Sequence, residues 1–92
     1  MNSRKTKNIP LKERKENVKE KHFLILHNDD FHTFDYVIDA LIDVCGHEFE
    51  QATQCTYIVH HKGKCDVKKG EFDRLKQMKE ALTIRGLSAT IN

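Results

Sequence analysis

The chain has 92 residues, 38% of them apolar, with one Pro, four Gly and no Trp, which allows one small domain and excludes two. Sixteen Lys and Arg against fourteen Asp and Glu leave a net charge of +2, so overall charge singles out neither a nucleic-acid binder nor an acidic disordered chain. The distribution is uneven: residues 1–21 hold eight basic and three acidic residues, whereas His22 to His61 hold no Lys or Arg and seven carboxylates, among them Asp29, Asp30 and Asp35. A cationic ligand suits such a stretch.

The first twenty residues never place three apolar residues in a row, as a secretory leader would, and no run approaches the roughly 18 apolar residues of a membrane span. A cytoplasmic protein is expected. Cys45, Cys55 and Cys65 are odd in number, evenly scattered and without a CxxC pair, which suits reduced thiols rather than a disulfide framework or structural zinc.

Residues 1–20 show no sustained period, and Ile9, Leu11 and Val18 bury too little surface to offset the entropy of ordering, so they read as a flexible basic extension to a core domain of residues 21–92. Lys21 to His27 contains the run Phe23-Leu24-Ile25-Leu26, too short for a helix and expected as a buried strand. Asn28, Asp29 and Asp30 end it, because such side chains bond their own backbone in turns. Thr33 can cap a helix with Asp35 in its first turn, and Phe34, Val37, Ile38, Leu41, Ile42 and Cys45 recur at helical spacing up to Gly46. A second helix is expected from about Glu48 to Val59, burying Phe49, Ala52, Thr53 and Thr56, with β-branched residues weakening its end.

Lys62, Gly63 and Lys64 form a turn, Cys65 to Lys68 a short strand, and Glu71 to Arg85 a third helix with Phe72, Leu75, Met78 and Leu82 on one side. Alternation from Leu87 to Ile91 closes the chain as a strand. The order β-α-α-β-α-β in about 70 residues predicts an α+β fold, a two-layer sandwich of a small three-stranded antiparallel sheet covered by three helices.

Polar residues converge where the first strand ends, at His27-Asn28-Asp29-Asp30, and a second polar group, His60-His61, closes the second helix. By spacing alone, turn formation and an ordinary histidine at a negative helix end account for both. The strings ILHNDDFHTFDYV, EQATQ and VHHKGK, with His60 32 residues after Asn28, resemble the ClpS family of adaptors, closely over residues 21–67 and loosely beyond.

That resemblance implies an adaptor, not an enzyme, that binds destabilising N-terminal residues (Leu, Phe, Tyr, Trp) of substrate proteins and delivers them to the N-terminal domain of a Clp-type AAA+ unfoldase. It implies Asn28, Asp29, Asp30 and His60 as holders of the substrate's amino group, with Asp30 as the expected direct contact. It implies Phe34, Val37, Thr56, Val59 and Leu87 as a hydrophobic pocket, and Asp73 and Lys76 as unfoldase-docking positions. No cofactor, membrane or nucleic acid is implied, the state is a monomer, and residues 1–20 serve in handing over substrate. Where the family has Thr-Pro-Met, this chain has His32-Thr33-Phe34, and a Met common on the second helix is Thr56, so the rim gains bulk while the wall loses it.

Two other readings compete. His27, Asp29, Asp30, His60 and His61 are residue types that hold zinc or manganese, although no HxH or HxxxH spacing supports a metal site. The basic extension with Lys62, Lys64, Lys68 and Lys69 could serve a nucleic acid, although aromatics do not interleave with them.

Overall fold

The apolar run after Lys21 becomes the middle strand of a sheet, with hydrogen-bonding partners on both edges. The computed structural model describes residues 22–92; the basic extension of residues 1–20, and Lys21 with it, lie outside the described residues. Strand β1 (His22–His27) is flanked by β2 (Lys64–Gly70) and β3 (Ser88–Ile91), both antiparallel to it, in the order β2-β1-β3. Leu24 and Leu26 point into the core and are fully buried, whereas Phe23 remains 37% exposed and Ile25 half-buried. The strand is therefore covered on one face only, because all three helices pack against the face that carries the leucines.

Helix α1 (Phe34–Cys45) begins as its sequence dictates: the Thr33 hydroxyl accepts from the Tyr36 N–H at 3.1 Å, and Asp35 lies in the first turn. It ends where Gly46 adopts φ of 72° and the N–H groups of Gly46 and His47 reach back to the Ile42 and Leu41 carbonyls. Helix α2 (Phe49–Lys62) runs past Val59 to Lys62 and stops at Gly63, whose φ is 94°. The β-branched residues do not end it; each costs only a few tenths of a kcal/mol, and Thr53 and Thr56 donate their hydroxyls to the Phe49 and Ala52 carbonyls, both at 2.8 Å. Its buried arc runs through Ala52, Cys55, Thr56 and Val59, which leaves Phe49, expected inside, 64% exposed at the edge of that arc.

Helix α3 (Phe72–Ile84) buries Leu75 and Leu82, while Phe72 stays exposed with its edge against the His22 ring; Glu71 and Arg85 are caps rather than helical residues. Strand β2 is longer than expected because it pairs along all of β1, from His22 with Gly70 to His27 with Lys64, and a bulge interrupts the pairing: Leu24 faces Lys68 and Ile25 faces Asp66, so the intervening Val67 turns inward and is buried. The outcome is the expected α+β sandwich with the order β-α-α-β-α-β.

Candidate functional site

One backbone contact fixes where polar and apolar residues meet. The Asn28 N–H, just past β1, donates to the Gly63 carbonyl at 2.9 Å, tying the turn after the strand to the end of α2. Between them opens a pocket of about 30 Å³, bordered also by the first turns of α1 and by the approach to β3. It brings together Asn28, Asp29 and His60 with Phe34, Val37, Thr56, Val59 and Leu87. Asp30 is exposed and lies outside the lining; Asp73 and Lys76 are exposed on α3, away from it.

The two aspartates differ because only Asp29 is used by the turn. Its Oδ1 accepts from the N–H groups of Phe31 and His32, both at 2.8 Å, closing an Asx turn into α1. The His32 ring adds a contact from Nδ1 to Oδ2 at 3.1 Å. Burial alone would raise the Asp29 pKa, but the N–H groups of His32 and Phe31 and the His32 side chain outweigh it and hold the carboxyl below its ordinary 3.8. Asp29 is a fixed anion in the pocket wall.

Across the pocket, the Phe34 ring lies edge-on to the His60 ring, with centroids 5.3 Å apart and planes at 72°. His60 in turn meets His61 edge-on at 5.1 Å, and His61 contacts Tyr57 at 4.0 Å. Phe34 is 40% exposed and covers the mouth, whereas Thr56 and Val59 are buried at the back. Leu26, His32 and Thr33 also border the pocket, and sequence reasoning gave them no role there. Leu26 was legible as the last inward residue of β1. His32 was legible only as a departure from a pattern.

Other chemistry finds less support. Burial pushes the Cys45 thiol up to about 11, against the pull of Lys68, and burial together with Cys55 pushes Cys65 up to about 12, so both are protonated at neutral pH and poor nucleophiles. Among the described residues, no three His, Cys, Asp or Glu side chains group to hold a metal ion. Lys68 donates to the Cys45 carbonyl at 3.0 Å and Lys69 stands 5.8 Å over the Phe23 ring, so these lysines are engaged within the fold. No helix among the described residues is long and apolar enough to cross a membrane.

Comparisons with known proteins bear on the family and the fold. The family model of the ATP-dependent Clp protease adaptor protein ClpS matches residues 17–90. ClpS adapter proteins of Desulforapulum autotrophicum and Clostridium acetobutylicum are 36% and 39% identical over 52 and 56 residues, covering 56% and 52% of this chain and 50% and 55% of theirs. That of Erwinia tasmaniensis is 44% identical over 41 residues, 45% of this chain and 39% of its own. The chain thus spans about half the length of the curated relatives it matches, or less. Agrobacterium tumefaciens ClpS2, solved with L-phenylalaninamide bound, shares the fold with a TM-score of 0.75 at 20% identity, over 80% of this chain and 96% of its own.

Proposed function

This chain belongs to the ClpS family of Clp protease adaptor proteins, and from that premise we propose that it binds proteins through a free, bulky N-terminal residue and delivers them to a Clp-type AAA+ unfoldase. The observation that carries this reading is the meeting, in one pocket, of Asn28, Asp29 and His60 with the apolar Phe34, Val37, Val59 and Leu87. L-Phenylalaninamide, the ligand of the fold neighbour, presents that same pair of features, an α-amino group beside an aromatic side chain.

An α-amino group has a reference pKa of about 7.7 to 8.0 and is largely an ammonium at neutral pH. It has three donors to place. Asn28 supplies a carbonyl oxygen, Asp29 an ionised oxygen, and neutral His60 a ring lone pair, while Asp30 adds negative charge from outside the lining. Asp29, rather than Asp30, makes the direct contact.

The first side chain enters the apolar part. Burying an aromatic group of about 150 to 250 Å² contributes about 4 to 6 kcal/mol, and each charged hydrogen bond about 1.5 to 3. Association costs at least about 4 kcal/mol, so micromolar binding near −8 kcal/mol requires both halves of the ligand. The pocket of about 30 Å³ has room for about two waters, so a bulky first side chain enters as residues at the mouth, Phe34 among them, turn aside.

Residues 1–20 serve the handover, and the exposed face of α3 carrying Asp73 and Lys76 docks the N-terminal domain of the unfoldase. Fluorescence anisotropy with a peptide beginning in Phe, free and acetylated at its amino group, tests the reading. Binding of the free peptide alone is expected, and equal affinity for both overturns it.

A further inference from the structure

His32 stands where the resemblance leads one to expect Thr, yet its ring is held on several sides. It stacks on Tyr36 with centroids 4.8 Å apart and planes 18° from parallel, and the Tyr36 hydroxyl is itself fixed by donating to the Arg85 carbonyl at 2.6 Å. The Phe31 ring meets it edge-on at 5.3 Å. At its far edge, a Cβ on Gly86 would stand 3.1 Å from Nε2, and Gly86 has φ of +85°, so the backbone there comes as close as it does only because that residue has no side chain. The remaining edge faces Asp29, with Nδ1 at 3.1 Å from Oδ2 and 3.2 Å from Oδ1. An ionised carboxylate only accepts, so Nδ1 carries the proton.

We propose that His32 is a positioning residue for amino-group recognition: its clamped ring holds the Asp29 carboxylate in the pocket wall, in one orientation, ready for an arriving ammonium. The inference rests on the amino-group reading of the pocket. Asp29 already accepts from two backbone N–H groups through Oδ1, and since its two oxygens turn together about Cβ–Cγ, the contact from Nδ1 to Oδ2 restrains that rotation a second time, before the ligand arrives. A preorganised acceptor spends none of the ligand's interaction on ordering itself. Gly86 belongs to the same device, since its bare backbone gives the ring its place.

Two variants of the full chain separate the donor from the ring. His32→Phe keeps a ring on Tyr36 and loses the donor, whereas His32→Asn keeps an N–H donor on the corresponding atom and loses the ring. With a free Phe-initiated peptide, His32→Phe should weaken binding by about five- to tenfold, the scale of one ordinary hydrogen bond, while the acetylated twin stays unbound as in the parent. His32→Asn should recover most of that loss, and in an Asp29→Asn background the effect of His32→Phe should shrink below about twofold. The carboxyl carbon of Asp29, followed by NMR, should titrate at higher pH in His32→Phe than in the parent. Unchanged affinity of His32→Phe for the free peptide, undiminished weakening in the Asp29→Asn background, or an unmoved carboxyl titration overturns the positioning role and leaves the amino-group reading standing. Equal binding of the two peptides by the parent protein overturns both.

Discussion

Two hollows in this domain differ in the opposite sense to their size. The one between the Asn28 turn and α2 holds about 30 Å³, whereas a shallow depression on the uncovered face of the sheet, bordered by Phe23, Ile25, Lys64, Cys65, Asp66 and Asn92, holds about 280 Å³. Among the side chains bordering the larger, the one carboxylate is that of Asp66, on a strand surface. The smaller has a carboxylate fixed by backbone, an imidazole at a helix end and an apolar back wall. Space is easily made by turning a side chain such as Phe34, but converging, pre-aligned acceptors are not, so order rather than volume singles out the proposed site.

The two hollows separate most clearly at their carboxylates. Asp29→Asn should weaken a free N-terminal peptide by about ten- to a hundredfold, the scale of one charged contact of about 1.5 to 3 kcal/mol, while Asp66→Asn leaves affinity unchanged. If anisotropy shows Asp66→Asn to be the costlier change, the sheet face is the binding surface. His60→Ala comes next, with a loss of about tenfold and an unchanged melting temperature, because the ring is exposed and packs against rim residues only. Unfolding of that variant would make His60 a structural residue.

A smaller effect, of selectivity, is expected at Phe34. Phe34→Ala removes the ring from the mouth and should admit peptides beginning with Ile or Val while weakening aromatic ones by about 1 kcal/mol. Dissociation constants for peptides differing only in the first residue measure this, and a parent protein that already binds Ile as well as Phe removes Phe34 as the gate.

The smallest effect is on stability in acid. The Asp29 pKa is depressed in the fold, so its stabilisation is complete above the ordinary carboxylate value and fades as pH falls through the lower folded one. Urea melts between about pH 5 and pH 2 should therefore show the parent losing more stability than Asp29→Asn, and parallel curves would mean that the carboxylate is not held by the turn.

Much of this was legible in the chain where the cause is local. Thr33 and Gly46 bracket α1 because a cap needs only its own few neighbours, and the turn at Asn28 follows from the same short-range bonding. The end of α2 lies three residues beyond the expected Val59 because the left-handed Gly63 stops the helix, and the β-branched residues near Val59 do not. Asp29 and Asp30 are alike in sequence, and only the Asx turn tells them apart. The environment of His32 depends on Tyr36 and on Gly86, far along the chain, and no period or spacing encodes that meeting.

The bulge at Val67 also bears on the company such a protein keeps. β2 is an edge strand, and an edge offers unpaired backbone groups to any extended chain nearby. Here that edge is kinked where Val67 turns inward and is studded with Lys64, Asp66, Lys68 and Lys69, features that discourage a further strand from adding to the sheet. For the adaptor function proposed above, this edge discourages pairing between the sheet and an extended chain held by its N-terminus.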